Sequence, residues 1–386
     1  MQKNKISFKG QKIFIGIDVH AKKWEVASLT ESGFVKRHSQ EPSAKVLFDF
    51  LRKNFLDGEY HAVYESGFSG FATYYALSEY GIDCIVIHAA DVPTTQYEEV
   101  MKTDKIDALK LARSLRAEEL RPIYIRKREN IDDRAVLRIR RTIQKQLCGY
   151  KSRVKHLLHC NGVTMPDRFA RPCTHWSMAF IKWLKEDVTL LSPTRKSLDL
   201  LINQVETLRA SLLTATREVR KLATLERYKE NYELLRSIPG IGIIVAMSIL
   251  TEIYDVSRFK NEKQFASYLG LVPTCHSSGD KESHGEKTFR GNKQLGPMLI
   301  ETCWTAVYRD YGLGLAYASY KQRMKPQEAI VKVARKMSNI IFSILRNRKR
   351  YEPYKWENKN RKRSFTKQRM IKSYVANNRL SGNKIK

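Results

Sequence analysis

Acidic residues are what this 386-residue chain has too few of: 40 Asp and Glu stand against 70 Lys and Arg, a formal charge of +30. That imbalance calls for a polyanionic partner, and phosphate backbones are the commonest polyanions. The excess runs the length of the chain and peaks in residues 346–386, where 15 Lys and Arg face two Glu. Cysteine is sparse too. Six are present, at 84, 148, 160, 173, 275 and 303, with no CxxC pair and no framework spacing. Reduced thiols in a cytoplasm therefore fit better than a disulfide scaffold. Long hydrophobic runs are missing: no stretch approaches the ~18 apolar residues of a membrane helix. The N-terminus carries no signal-peptide core, so a soluble, intracellular chain is expected. A hydrophobic content of 42% excludes a disordered chain, and the length leaves room for two or three domains. His156, His159, Cys160, Cys173 and His175 form a loose metal-like set, but their spacing fits no standard zinc pattern.

Short apolar runs and helical periods alternate over residues 13–125. Strands are expected at 13–19, 24–30, 34–38, 61–65 and 83–88, with helices at 44–55, 70–80 and 104–116. Three strands followed by alternating helices and strands indicate an α/β domain with a mixed sheet. Residues 131–225 change character. Val136, Ile143, Leu147, Tyr150, Val154 and Leu157 follow 3–4 spacing, with Arg140 interrupting the seam. After a break containing proline, Leu198, Leu201, Val205, Leu208, Leu212, Ala215, Val219 and Leu222 repeat it over nearly four heptads. These read as coiled-coil-like helices, forming an antiparallel pair or an oligomer contact; bundle packing also accounts for the first. From about residue 232 a compact helical domain begins. Its last clear element is an amphipathic helix at 327–346, with Ile330, Val333, Ala334, Met337, Ile341 and Ile344 as its stripe. The tail beyond is basic and dotted with aromatics. The expected division is 1–130, 131–228, 229–346 and a tail at 347–386.

Four carboxylates stand out. "FIGIDVHAKK" is an apolar run, expected as a buried strand, that ends on Asp18, and a buried carboxylate costs several kcal/mol unless compensated. Alternation places Asp18 on the face of Phe14 and Gly16. "HAVYESGFSG" repeats the design, with Glu65 at a strand end before a glycine-rich turn. "KTDKIDALKLARSL" sets Asp104 and Asp107 on one face of a helical turn. Helix capping accounts for that pair taken alone, with Asp104 as the cap. With two further acids at strand ends, convergence on one place accounts for all four. A divalent cation, Mg²⁺ above all, then supplies the missing counter-charge and bridges to phosphate oxygens. Two ions ~3.5–4 Å apart would serve both the attacking and the leaving oxygen.

In this order and setting, Asp18, Glu65, Asp104 and Asp107 resemble the acidic set of the RuvC-like branch of the RNase H fold. More narrowly, "IGIDVHAKKWEVA", "YESG" and "KTDKIDALKLA" resemble the DEDD transposases of bacterial insertion sequences, the bridge-RNA-guided recombinases of the IS one-ten family. The resemblance covers about residues 12–345. It implies a RuvC-like N-terminal domain, a coiled-coil-like helical middle and a mostly α C-terminal transposase domain.

The C-terminal region opens with "SIPGIGIIVAMSIL". The turn at Gly240 and Gly242 reads as a helix-hairpin-helix whose amides hold a DNA phosphate, or as a plain interhelical turn. Next, "GLVPTCHSSGDKESHGEKTFRGNK" places Ser277 and Ser278 in a loop before a glycine, followed by Lys281, His284, Lys287, Arg290 and Lys293. By composition this is a polar loop. The family's pattern, a G-L-x-P segment followed by Ser-Gly, makes Ser278 the nucleophile, with Ser277 as the adjacent candidate. Leu295-Gly296 stands where the family's motif has Leu-Arg.

The resemblance implies an RNA-guided DNA recombinase that cuts and rejoins donor and target double-stranded DNA through a phosphoserine intermediate. A structured noncoding RNA would choose the sites. A dimer or tetramer would form composite active sites, in the bacterial cytoplasm and on the nucleoid when bound to DNA. The cations at Lys281, Lys287, Arg290, Lys293, Arg348, Lys349 and Arg350 are the expected phosphate contacts, read without base recognition. The rival reading is a metal-dependent endonuclease or junction resolvase in which water attacks. A nucleic-acid packaging protein is a third, disfavoured by the presence of all four carboxylates.

Overall fold

The structure is a computed structural model that describes residues 7–93, 103–278, 281–287 and 291–353, with backbone alone for 274–278 and 281–287. The chain divides after Arg126 into two compact units. In the first, β1 (Lys12–Val19), β2 (Trp24–Thr30), β3 (Val35–Gln40), β4 (Glu59–Glu65) and β5 (Asp83–Ile87) form one sheet of order β3-β2-β1-β4-β5. The β1–β2 and β2–β3 pairs are antiparallel; β1–β4 and β4–β5 are parallel. Helices α1 (Ala44–Asn54), α2 (Ala72–Glu79) and α3 (Asp104–Arg116) complete it. Each element lies within two residues of the boundaries expected from periodicity, and the mixed sheet is compatible with a RuvC-like fold.

Central strand β1 is covered on both faces, which is why its sequence is nearly all apolar. Ile13, Ile15 and Ile17 pack with Leu47 and Leu51 of α1 and Leu77 of α2. Phe14 belongs to the opposite layer, with Ala108, Leu109 and Ala112 of α3. Gly16 fixes how close α3 comes. A Cβ there would lie 2.0 Å from the Ala108 carbonyl oxygen and 2.6 Å from the Ala112 nitrogen. The space beside Gly16 is thus filled by helix backbone, and this contact carries the N-terminal turn of α3 toward Asp18. Gly16→Ala is expected to cost about 3 kcal/mol, the upper range for overpacking, because the obstruction is backbone and not a side-chain tip. Urea melts check it against Gly149→Ala, an open site in the second unit, which should be neutral or slightly stabilising.

The second unit is helical apart from one hairpin. Helix α4 (Arg128–Cys160) runs antiparallel to α6 (Ser192–Ala223), with α5 (Met178–Glu186) between them in sequence. Val154 and Leu158 of α4 meet Leu198 and Ile202 of α6 in one cluster, while Leu137 shares another with Val219 and Ala223. Arg140, which breaks the seam, donates to the Thr216 hydroxyl at 3.0 Å. Helices α7 (Glu226–Arg236), α8 (Ile243–Ile253), α9 (Glu262–Tyr268), α10 (Leu295–Arg309), α11 (Tyr311–Lys321) and α12 (Pro326–Asn347) enclose a common core. The expected stripe of α12 is buried in it. Among the described residues no helix is long and apolar enough to cross a membrane.

Candidate functional site

Asp18 closes the apolar run of β1 and pairs in register with Glu25 of β2. On the other side Ile17 pairs with Tyr64, so Asp18 and Glu65, the next residues, stand level at the ends of adjacent strands. Thr103 occupies the N-cap position of α3 without a side-chain capping hydrogen bond, and Asp104 and Asp107 both fall in the first turn, at the positive end of the helix dipole. Asp104 is therefore not the cap that one sequence reading made it.

The ligand atoms of Asp18, Asp104 and His20 all lie within 4.8 Å of one another. His20 Nε2 is 3.0 Å from Asp18 Oδ2 and 3.6 Å from Asp104 Oδ2. Burial raises the Asp18 pKa above its ordinary value; His20 opposes this, and the charges of Asp104 and Asp107 add to it. His20 and Lys23 offset burial and the acidic neighbours only in part, and clustered oxygen ligands of this kind suit a hard divalent cation. The structure thus brings Asp18 and Asp104 together, with Asp107 close enough to act on Asp18 through its charge. Glu65 ends the neighbouring strand outside this ligand cluster.

Two participants escaped sequence reasoning. His20 sits two residues beyond the strand-end acid, inside "DVHAKK", and a histidine so placed was the available signal. Glu25 is 2% exposed. The Ser39 hydroxyl donates to it at 2.6 Å and Lys23 Nζ at 2.9 Å. The Ser39 bond holds its carboxyl below the ordinary range, against the effect of burial and with help from Lys23. Lys23 Nζ also lies 3.8 Å from Asp104, so Glu25 tethers a cation at the edge of the acidic cluster.

The structure changes the serine segment. Ser277 and Ser278 lie in β6 (Pro273–Ser278), paired antiparallel with Glu282 and Lys281 of β7 (Lys281–Lys287). They stand at the turn end of a hairpin, not in an open loop; Arg290 lies outside the described residues. Gly240 has φ +92°, and a Cβ there would sit 3.1 Å from the Thr302 carbonyl and 3.2 Å from Ala306, so packing against α10 accounts for this glycine. Gly242 begins α8 with open space beside it. Arg348 pairs with Glu230 at 2.6 Å and Arg350 approaches Glu233 at 3.8 Å, so two expected phosphate contacts have acidic partners on α7; Lys349 has none among the described residues. The basic tail beyond residue 353 lies outside the described residues. The loose His/Cys set does not assemble: His175 Nε2 bonds the Phe169 carbonyl at 2.8 Å, and among the described residues no metal-capable group includes it.

Comparison with known proteins places these features in a family. A transposase model for the DEDD domain of IS110 elements matches residues 15–160, and the model of the transposase IS116/IS110/IS902 family matches residues 232–318. The y4qE protein of Sinorhizobium fredii is 28% identical over 64% of this chain, which spans 58% of that relative's length. The transposase of insertion sequence element IS1533 from Leptospira borgpetersenii is 25% identical over 65% of this chain and 72% of its own. The pilin gene-inverting protein of Moraxella bovis is 27% identical over 65% of this chain and 68% of its own. A DEDD domain implies dependence on a divalent metal in general. With Asp18, Glu65, Asp104 and Asp107 all inside the first match and the serine hairpin inside the second, the chain belongs to the IS110 family of transposases.

Proposed function

We propose that this chain is the recombinase of an insertion sequence, cutting and rejoining donor and target DNA under the guidance of a structured RNA. The observation that carries the reading is the convergence of Asp18 and Asp104, with Asp107 and His20 beside them, on a strand end held against α3 by Gly16. Asp18, Glu65, Asp104 and Asp107 would hold Mg²⁺, as a pair of ions; the hard oxygen set suits that metal, and His20 serves as hydrogen-bond partner to Asp18. When bound, the metal supplies charge stabilisation to a phosphate undergoing substitution.

The chain's own residues do the rest. His20 orients the Asp18 carboxylate, and Glu25 keeps Lys23 beside Asp104. The Ser278 hydroxyl attacks phosphorus, the phosphorus–O3′ bond breaks, and the serine proton passes to a carboxylate base as the 3′ oxygen takes one up. A phosphoserine and a free 3′-hydroxyl result, so the bond energy is kept for rejoining. The acidic site of one subunit meets the serine hairpin of another, and Lys281, Lys287, Arg290 and Lys293 hold the backbone. Cutting and joining of a plasmid carrying the element's ends should require Mg²⁺ and stop on chelation. An equal yield with chelator present contradicts the metal assignment.

A further inference from the structure

A cleft of about 480 Å³ opens in the second unit between α4 and the segment that leads into α10. Its walls bring together Arg138, Arg141 and Lys145 from successive turns of α4 with Asn292 and Lys293. No acid lines it. Glu252, which pairs with the lining Arg138, is 1% exposed and held by Arg134 Nη2 at 2.8 Å and Arg138 Nε at 3.1 Å. Burial pushes its carboxyl up, but the two arginines more than offset this and hold it below its ordinary value. Glu252 therefore cannot neutralise the other cations: Arg141, Lys145 and Lys293 have no acidic partner among the described residues.

Asn292 makes one wall rigid. Its side-chain nitrogen lies 3.4 Å from Glu252 Oε2 and 3.3 Å from the Tyr268 hydroxyl, and its oxygen accepts from the Gln294 and Leu295 amides at 2.9 Å each. With the first amides of α10 so capped, the cleft's charged donors are the side chains of Arg138, Arg141, Lys145 and Lys293, beside the neutral Thr142 and Gln294. Gly291 locates the cleft relative to the hairpin. A Cβ on Gly291 would lie 2.2 Å from the Gly270 Cα, so Gly270, before β6, and Gly291, after β7, are in backbone contact one residue before Asn292. The cleft is the base of the hairpin that carries Ser278 at its far end.

We propose that this cleft binds the phosphodiester backbone of the DNA strand flanking the phosphate that is cut, through Arg141, Lys145 and Lys293, with Arg138 fixed by Glu252. Convergent, unneutralised cations at the Gly270–Gly291 contact, eight residues or at most ~26 Å of chain from Ser278, set an anchoring phosphate within about eight base steps of the serine. The proposal rests on the recombinase reading but is tested without catalysis.

The full chain, freed of copurifying nucleic acid and kept in chelator, is titrated against a labelled DNA duplex over a range of salt. Each phosphate contact contributes about 0.9 to the slope of log K against log salt, so Arg141→Gln/Lys145→Gln should flatten it by about 1.8 and Lys293→Gln by about 0.9. Lys196→Gln/Arg220→Gln on α6 removes the same charge from exposed positions that do not line the cleft and should change the slope by less than half as much. An unchanged slope, an equal change in the α6 control, or a loss confined to a labelled structured RNA overturns the proposal. Because the assay needs no cutting, a chain inactive on DNA still reports on the cleft. An active chain with unchanged slopes refutes the cleft alone.

Discussion

Asp18→Asn protein stops cutting DNA, by roughly a thousandfold or more, while its metal-free form melts no lower than the wild type. The first half follows from the loss of a ligand charge: about 4 kcal/mol of transition-state stabilisation corresponds to that factor. The second half follows from the raised pKa of Asp18, caused by burial and by Asp104 and Asp107 against the opposing effect of His20. A carboxyl with a folded pKa above its unfolded value binds its proton more tightly in the native state. Its ionisation therefore costs stability, a cost absent below the unfolded pKa of about 4 and complete once pH exceeds the folded value. Metal-free wild type should lose stability as pH rises through that window, and Asp18→Asn should lose less. Added divalent metal should raise the melting temperature of the wild type and leave the variant's unchanged. Melting curves across pH, with and without metal, read all of this; a variant that melts well below the metal-free wild type at neutral pH would show that Asp18 is a structural partner instead.

Much of the first unit was legible because its signals are local. Alternation around Ile13, Ile15 and Ile17 and the 3–4 pattern of α3 each report on one element, and Asp104 and Asp107 announce their shared face by spacing alone. Glu25 was not legible, since its place opposite Asp18 depends on strand register. His20 acquires meaning only when α3 brings Asp104 to it. The serine hairpin was misread as a loop because "PTCHSS" and "KESHGEK" show no alternation of apolar and polar residues. Arg348 and Arg350 looked like open phosphate contacts because their partners, Glu230 and Glu233, lie more than a hundred residues earlier. The cleft at the hairpin base is wholly tertiary: its cations come from residues 138–145 and 293, which no periodicity connects.

Ser278→Ala should abolish strand exchange, roughly 10⁴-fold or more, as removal of a catalytic nucleophile does. A serine hydroxyl titrates far above neutrality, so it attacks only where a base or a strong field activates it. The segment Pro273–Ser278 contains no carboxylate, so the proposed mechanism takes its base from the Asp18 site. Binding should survive, because one hydroxyl contributes little to an interface dominated by phosphate charge. An adduct that persists in Ser278→Ala and disappears in Ser277→Ala would keep the mechanism and move the nucleophile by one residue. The most direct measurement is a denaturing gel of protein incubated with Mg²⁺ and end-labelled DNA. The account predicts that label migrates with wild-type protein and vanishes from that band in Ser278→Ala and with chelator. DNA cut by Ser278→Ala at nearly the wild-type rate, with no labelled protein in either lane, would contradict it and leave a water-using nuclease.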